Sequence, residues 1–597
     1  ELLPQSPETK VLVTSATIDT EKFSKYFDDA PVEKIKGRCF PVSTEIRRLE
    51  YAEHHSSGAA SAAKDVIDCF ADDRLIVPVE DGEGDGEVKS GTVAVLLPGK
   101  EDIENICRVL EQHLYYREKE APGISDRVEI VACSGESSPE ELERAQAPVP
   151  DGKLRFVVST EIIRSSVTIE SLVGVVDSLQ VKRLIVDHKG VAHLKKVAVS
   201  RAEADQAKGR AGRTRPGFYI PISFKDEYEY LQPYPEPAIL REPIMRVVLQ
   251  IANMGRSIRT AELIDKPDDE KIDTAIRQLK LIGCLDEEER ITKEGELVVK
   301  FPTDPERTRM LITADQLGVL PEAVIVAATI EEEGFFYYPK DYDKREKADR
   351  ERRELAQGNG DYVAIVNAYR LFKRAEKEIQ DEIREERRSN GGKAVGNQES
   401  RMRDWCIEHN INYKRIRIVE NSISQLREEI NSSPLKLENG IAAEREFDPE
   451  LLIKSALSGQ LNDVSVYRAG ARSSQFESDR GNFDLSYGST CPRDAKLILT
   501  GGSLSKVAVK GGSTVHRLLS DTASPIKPEW LEEIFPHLCR REALGDLRYE
   551  PKTDEVWETA YLRFNGRDIA TLPVRSENDE RSEEHTSELQ SLAYVVC

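Results

Sequence analysis

The stretch "GTVAVLLPGKEDIENICRVLEQHL" (residues 91–114) joins a short apolar run to a segment whose apolar residues recur every three or four positions. The run predicts a buried strand, and the segment after it predicts a helix. The alternation continues to about residue 223, through "VEIVACSG", "SPEELERAQA", "KLRFVVST", "LVGVVDS" and "GFYIPIS". Strands that alternate with helices at this spacing predict a parallel sheet with crossover helices and with ligands at the carboxyl ends of its strands.

The pattern changes twice beyond this region. From about residue 236 the apolar residues recur only at helical spacing, and from about 450 to 570 short strands with turns, such as "DAKLILTGG", predict a small barrel. The charge-dense residues 340–400 favour a solvated helix that runs into a loop over a functional basic strip. A chain of 597 residues is long enough for about three to five domains.

The composition limits the possible partners. A net charge of −23 argues against indiscriminate binding to nucleic acid or anionic membranes. A local basic groove remains compatible with it, because screening confines surface fields to about 8 Å at physiological salt. The nine cysteines form no CxxC pair, which favours reduced thiols in the cytoplasm or nucleus and no metal site. No apolar run approaches the roughly 20 residues that span a bilayer, so no membrane partner is expected.

Positive charge is concentrated in "ADQAKGRAGRTRPG" (204–217), which holds four cationic side chains and three glycines. By itself such a stretch is typical of a solvated helix end followed by a turn. Three other short segments precede it in the chain: "TSAT" (14–17), "LLPGKEDI" (96–103) and "STEIIRSSVTI" (159–169). The first and third follow apolar runs of strand type, and "QAKGRAGR" (206–213) opens a predicted helix.

In their order and spacing these four segments resemble motifs III, IV, V and VI of the DEAH-box family of superfamily 2 helicases. The resemblance continues through "CFPV" (39–42), "WCIEHNINYKRIR" (405–417) and "IKPEWLEEIFPHL" (526–538), and covers roughly residues 5–575. It implies a multidomain α/β plus α plus β fold. The expected parts are the end of a first RecA-like domain (1–30), a second RecA-like parallel α/β domain (31–235), a winged helix (236–305), a helical ratchet-like domain (306–440) and an OB-fold barrel (441–575). Residues 576–597 are expected to be a non-native tail, because "RSEEHTSELQS" (581–591) matches a translated sequencing adapter.

The resemblance implies the C-terminal part of an ATP-dependent RNA helicase. Such an enzyme couples ATP hydrolysis between two RecA-like domains to translocation on single-stranded RNA and to remodelling of duplexes or ribonucleoproteins. The sequence contains no Walker A loop and no DEAH motif. We therefore expect the magnesium ligands to lie in a missing N-terminal domain, and this chain to be inactive in ATP hydrolysis by itself.

The resemblance also assigns the cationic stretch to the nucleotide. Arg210 and Arg213 match the family's arginine fingers, whose planar, always protonated forks suit phosphate oxygens. Being three residues apart, they are expected to share a helix face. Gln206 matches a phosphate-contacting glutamine, and Gly209 and Gly212 are expected to let the helix lie close to ATP.

Further roles follow from the other motifs. Ser166, Thr168 and Glu170 are expected near the nucleotide, with Glu170 at the ribose. Ser15, Ala16 and Thr17 are expected to couple the nucleotide site to domain movement, and Thr160, Ser134 and Gly135 to contact the RNA backbone. Residues 181–200 lie where the family inserts a β-hairpin that parts strands, although their lysines could equally be surface decoration.

Some positions depart from the family pattern. Glu161 replaces an amide residue, and Arg164 replaces an acid. Glu161 would repel an RNA phosphate unless Arg164 compensates. Ala207 stands where arginine is expected and Lys208 where alanine is, and Gln146 replaces an aromatic residue that stacks on adenine, which predicts weaker base affinity.

These departures leave a second function class open, a helicase-derived RNA-binding or scaffold protein with weakened or lost ATPase activity. DNA as the substrate also stays open, because backbone contacts alone do not separate it from RNA. A protein activator at the OB-fold and a monomeric state are further expectations. No residue selects the physiological RNA or the direction of translocation.

Overall fold

The structure is a computed structural model that describes most of residues 8–575. The segments that it does not describe are 16–17, 36–39, 51–52, 78–85, 135–136, 138, 166–167, 187–191, 302, 331–333, 338, 340, 390–396, 433–445, 469–474, 479–480, 502–503, 509–515 and 551–554. The predicted site residues Ala16, Thr17, Gly135 and Ser166 and the predicted tail 576–597 therefore lie outside the described residues. The chain divides into two compact units, of which the first comprises residues within 1–187, 191–243 and 262–268.

The first unit is built on a seven-stranded sheet. The strands of this unit are Val42–Thr44 (β1), Arg47–Arg48 (β2), Gly91–Leu96 (β3), Val128–Cys133 (β4), Leu154–Ser159 (β5), Leu172–Asp177 (β6), Gln180–Val186 (β7), Ala192–Ala198 (β8) and Gly217–Ser223 (β9). The sheet order is β1-β9-β6-β3-β5-β4, β2 also pairs with β9, and every pair is parallel. The predicted parallel sheet is thus confirmed. Strands β7 and β8 form a separate antiparallel hairpin.

Helices connect these strands. They are Thr20–Tyr26 (α1), His55–Ala71 (α2), Lys100–Arg117 (α3), Ile124–Arg127 (α4), Pro139–Gln146 (α5), Ile162–Ser165 (α6), Arg201–Ala211 (α7) and Ala238–Arg241 (α8). All residues of β3, β5 and β6 are buried, as expected for central strands that are covered on both faces. Helix α7 begins with a capping box between Ser200 and Glu203, which satisfies amide groups of its first turn.

The apolar run near the start of the chain is not a strand. Residues 8–15 have no regular secondary structure, and Leu12 is 87% exposed. The expectation that "TSAT" follows a strand was wrong for this structure. A strand needs a neighbour to satisfy its backbone groups and to cover its side chains, and no described strand pairs with this run.

The second unit begins with helices. They are Met245–Asn253 (α9), Asp269–Leu281 (α10), Lys293–Val298 (α11), Pro305–Gln316 (α12), Leu320–Thr329 (α13), Tyr342–Ala356 (α14), Asp361–Ser389 (α15), Gln398–Glu408 (α16), Tyr413–Asn431 (α17) and Pro449–Gly459 (α18). Every residue of α13 is buried, including the Glu322 carboxylate, which accepts a hydrogen bond from Arg370 of α15.

The charge-dense residues 340–400 include the solvated helix predicted for them, since most residues of 377–389 are exposed, but they also contain buried helical turns. The first turns of α15 are mostly buried, and charged residues further along it form ion pairs with neighbouring helices. Lys373 of α15 donates to Glu420 of α17 (2.8 Å), and Arg401 of α16 donates to Glu386 of α15 (2.6 Å). Much of the charge therefore joins helices to one another.

The unit ends in strands, as the sequence predicts. These are Val464–Arg468 (β10), Gln475–Ser478 (β11), Gly481–Leu485 (β12), Leu497–Thr500 (β13), Leu504–Ala508 (β14), His516–Ser520 (β15), Ala523–Pro525 (β16), Cys539–Glu550 (β17), Glu555–Phe564 (β18) and Arg567–Arg575 (β19), with helix Pro528–Ile534 (α19) before β17. Strands β10 to β16 form a barrel-like sheet in the order β14-β15-β12-β11-β10-β13-β16, and β17 to β19 form a second sheet.

Candidate functional site

The carboxyl edge of the first sheet brings two predicted RNA contacts together. Ser134 directly follows β4 and Thr160 directly follows β5, and these strands pair with Cys133 opposite Ser159. The half-buried Thr160 also lies next to the turn after β3, where the Leu97 N–H donates to the Ser159 carbonyl (2.8 Å). The Ser134 N–H donates to Ser137 Oγ (3.0 Å), which fixes the start of the loop after β4.

The predicted nucleotide contacts lie at the opposite edge of the same sheet. Helix α7 returns from the carboxyl edge to the amino edge, because it connects β6 to β9 through the β7–β8 hairpin. Just after α7, Thr214 Oγ1 donates to the Glu170 carbonyl (2.7 Å), close to the start of β6. The exposed Thr168 and Glu170 and the last turn of α7 therefore meet near the amino ends of β6 and β9. Gln146 is exposed at the end of α5 and lies near this edge too, because Arg155 at the start of β5 donates to the Ala147 carbonyl. These candidate nucleotide contacts thus lie away from the carboxyl ends, where the sequence pattern predicts ligands.

Arg210 and Arg213 are held close together. Burial, and secondly the positive charge of Arg213, lower the pKa of the Arg210 guanidinium below its ordinary value. Arg213 itself is exposed. The two cations therefore repel each other, and one of them is also partly desolvated.

The two arginines do not share a helix face as predicted. Helix α7 ends at Ala211, with Gly212 as its C-cap, so Arg213 lies beyond the helix. The Arg213 N–H still donates to the Arg210 carbonyl (3.4 Å), which keeps the two residues in one turn. Gln206 is half-buried one turn before Arg210, at the spacing that places both on one side of α7.

The two glycines of this helix end have different surroundings. A Cβ atom at Gly209 would meet nothing within 4 Å, so its exposed backbone leaves room for a ligand. A Cβ atom at Gly212 would lie 2.6 Å from the Phe40 carbonyl oxygen and 2.6 Å from Val42 Cγ2. The space at Gly212 is thus filled by the chain itself, and the role of this glycine toward the nucleotide stays a prediction.

The β7–β8 hairpin lies on the carboxyl edge near the predicted RNA contacts. Lys196 of β8 forms an ion pair with Asp102 of α3 (2.9 Å), and the Lys182 side chain packs against Gly99. Glu161 forms an ion pair with Arg183 of β7 (2.7 Å). The predicted compensation by Arg164 falls on a side chain that the structure does not describe, and the partner that the structure gives Glu161 is Arg183.

Arg183 is the residue of this site that sequence reasoning missed. It lies within the hairpin segment 181–200, where the sequence analysis considers only the lysines. Its two acidic partners, Glu161 and Glu203, are distant in sequence, so only the three-dimensional structure reveals these ion pairs. Ser15, the one described residue of the predicted coupling motif, is exposed in the irregular segment 8–15.

No group of three or more His, Cys, Asp or Glu residues that could hold a metal ion occurs among the described residues. Across that same part of the chain, no helix has the length and apolar character needed to cross a membrane. Seven of the cysteines in the described segments are free thiols.

Comparisons with known proteins define the class. The winged-helix helicase-associated domain (HA2) matches residues 275–303, and the ratchet-like helicase-associated domain (HA2) matches residues 304–395. Two crystal structures of HrpB from Escherichia coli, one described as a DExH-box NTPase and one as a DEAH/RHA helicase, match 98% of this chain. Their TM-scores are 0.61 and 0.62 at 19% and 18% identity, and the match spans 58% and 59% of those chains. The chain therefore has a helicase fold with helicase-associated domains.

A curated relative adds a sequence match to this likeness in fold. Over 428 residues the chain is 28% identical to the pre-mRNA-splicing factor ATP-dependent RNA helicase prp22 of Schizosaccharomyces pombe. The match covers 70% of this chain and 32% of that protein, so the chain spans about a third of the length of this relative. Together with the helicase-associated domains, this match supports the likeness of the chain to DEAH-box helicases of superfamily 2.

Proposed function

We propose that the chain is the C-terminal part of an ATP-dependent RNA helicase that couples ATP hydrolysis to translocation on single-stranded RNA and to remodelling of duplexes or ribonucleoproteins. The observation that carries the proposal is the division of candidate residues between the two edges of one parallel sheet. Arg210 and Arg213 stand together at the amino edge. Ser134, Thr160 and the basic hairpin stand at the carboxyl edge. Helix α7 runs from one edge to the other and links the two groups physically.

At the amino edge the proposed ligand is the triphosphate of ATP with Mg²⁺. The arginine pair stabilises charge on the transferring phosphoryl group, as arginine fingers do. Gln206 contacts a phosphate, Gly209 leaves the backbone accessible, and Thr168 and Glu170, with Ser166, face the nucleotide. The phosphate cradle and the magnesium ligands come from a first RecA-like domain, because the sequence holds neither a Walker A loop nor a DEAH motif. This chain alone is therefore inactive as an ATPase.

At the carboxyl edge the proposed ligand is the backbone of single-stranded RNA. Thr160 and Ser134, with Gly135, donate hydrogen bonds to phosphate oxygens, and the hairpin lysines supply local positive charge. The net charge of −23 confines binding to such a local surface. The parallel sheet is proposed as the second RecA-like domain and β10–β16 as the OB-fold, where a protein activator docks. The free thiols of the described residues suit a reducing compartment, so the chain is proposed to work in the nucleus or cytoplasm. It is also proposed to be a monomer.

The test is RNA-stimulated ATP hydrolysis by the full-length parent protein. Arg210→Ala and Arg213→Ala are each expected to lower the stimulated turnover number by about a thousandfold or more, the usual loss for an arginine finger. Arg74→Ala serves as the matched control, because Arg74 is an exposed arginine paired with Asp72 at the end of α2. Its turnover should equal that of the parent protein. RNA binding without ATP turnover in the parent would instead establish the scaffold function and overturn the motor proposal.

A further inference from the structure

Arg183 of β7 bridges two carboxylates from two other elements. Its Nη1 lies 2.7 Å from Glu161 Oε2, and its Nη2 donates to Glu203 Oε1. The side chains of Arg183 and Glu203 are only 20% and 14% exposed, whereas that of Glu161 is 46% exposed. The pair with Glu203 is therefore partly shielded from solvent, where charge interactions are stronger than at an open surface.

Glu203 uses its two oxygens for different purposes. Its Oε2 accepts hydrogen bonds from the Ser200 N–H (2.8 Å) and from Ser200 Oγ (2.9 Å), which closes the capping box of α7. Its Oε1 receives Arg183. One carboxylate thus joins the first turn of α7 to the middle of β7. The planar fork of arginine can reach both acids at once, which the single ammonium group of lysine does less well.

Glu161 brings this arrangement to the proposed RNA surface. It follows Thr160 directly, at the carboxyl end of β5. Two carboxylates and one guanidinium leave the cluster with a formal charge of −1. Without Arg183 the cluster would carry −2 beside a phosphate position, and the hairpin would lose its described ion pairs to Glu161 and α7.

We propose that Arg183 is a positioning residue that offsets part of the negative charge of Glu161 beside the RNA backbone and fastens the β7–β8 hairpin to the start of α7. This role rests on the RNA-binding function proposed above. The hairpin keeps a separate attachment through Lys196 and Asp102, so the loss of Arg183 loosens one side of it. The guanidinium of Arg183 thereby links Glu161, the hairpin and the helix that carries Arg210.

The first experiment measures binding of a fluorescein-labelled oligouridine to the chain by anisotropy at low salt. Arg183→Gln is expected to weaken binding about fivefold, and Glu161→Gln to strengthen it about fivefold, the effect of one unit charge about 4 Å away in water. The double variant is expected to return to within about twofold of the parent chain. Arg74→Gln, which breaks an exposed pair elsewhere in the unit, is the control and should leave affinity unchanged.

Rescue by the second substitution distinguishes charge compensation from general structural damage. If Arg183 acted only by holding the fold, the double variant would bind no better than Arg183→Gln. That result, or a failure of Glu161→Gln to strengthen binding, would overturn the charge role. Glu161→Gln keeps Arg183 and its pair with Glu203, so this arm remains decisive even if Arg183→Gln does not fold.

The second experiment measures amide hydrogen exchange and needs no RNA. Arg183→Gln is expected to raise exchange several-fold in β7 and β8 while leaving the buried strands β3 and β5 unchanged. Unchanged exchange in the hairpin would refute the fastening. If the parent chain binds no oligouridine, the RNA-binding proposal and the charge role fall together, and the exchange result still decides the fastening.

Discussion

Substituting the two glycines at the end of α7 separately should have opposite effects on stability. In Gly212→Ala the new Cβ atom would lie 2.6 Å from the Phe40 carbonyl oxygen and 2.6 Å from Val42 Cγ2. The segment cannot move away easily, because the Phe40 N–H donates to the Gly212 carbonyl (2.8 Å) and the Gly217 N–H donates to the Pro41 carbonyl (3.0 Å). Relief of such overpacking costs about 1–3 kcal/mol of unfolding free energy.

Gly209→Ala is the matched variant, because Gly209 lies only three residues before Gly212. Its Cβ atom would meet nothing within 4 Å, and alanine favours a helix over glycine by about 0.5–1 kcal/mol. Thermal unfolding of the chain measures both variants. One kcal/mol corresponds to a change in Tm of roughly 2–4 °C for a unit of this size. We expect a lower Tm for Gly212→Ala and an equal or higher one for Gly209→Ala.

The same pair separates stability from ligand binding. In the full-length protein, Gly209→Ala should raise the KM for ATP despite its stability, because the added methyl group fills the open space proposed for the nucleotide. A Gly212→Ala chain as stable as the parent would refute the packing argument. A destabilised Gly209→Ala chain would show that the space around Gly209 is occupied by the protein.

Three further predictions concern other parts of the molecule. Asp361→Ala should lower the unfolding free energy of the second unit by about 3–5 kcal/mol in urea titrations, because the buried carboxylate accepts from Ser489 Oγ, the Thr490 N–H and Oγ1, and the Ala523 N–H. Gln146→Phe should lower the KM for ATP of the full-length protein about threefold to tenfold through stacking on adenine, and an unchanged KM would place the base elsewhere. Burial raises the pKa of the Glu129 carboxyl, but its bonds to arginines outweigh this and lower the pKa below 4.5. Its stabilisation is therefore present above that value and is lost as pH falls, so Glu129→Gln should lower the urea midpoint at pH 7 and lose this difference in acid.

The sequence predicts the architecture well where the signal is local. The buried strands β3, β5 and β6 appear as apolar runs followed by helical patterns, and the parallel sheet follows from their alternation. The helicase family follows from four motifs in order. Helix ends are harder to predict: the same Gly212 that belongs to the motif also caps α7, and it leaves Arg213 outside the helix.

Pairings between distant segments could not be read from the sequence. The ion pairs of Arg183 link it to residues about 20 positions away on either side, Glu161 and Glu203. The apolar run at 11–13 has the composition of a strand, but a strand forms only where a neighbour pairs with it. Charged residues of α15 likewise form ion pairs with residues of α16 and α17, and the spacing of charges along one helix does not predict these pairs.

The departures from the family pattern make physical sense when they are taken together. Glu161 alone would place a negative charge beside Thr160, and a site for RNA phosphate would be weakened by it. Arg183 lies 2.7 Å from that carboxylate and also holds Glu203, so the hairpin offsets part of the charge beside Thr160. At the other edge of the sheet, burial and the positive charge of Arg213 in the same turn lower the pKa of Arg210. Both edges thus keep charged residues on which the proposed function rests.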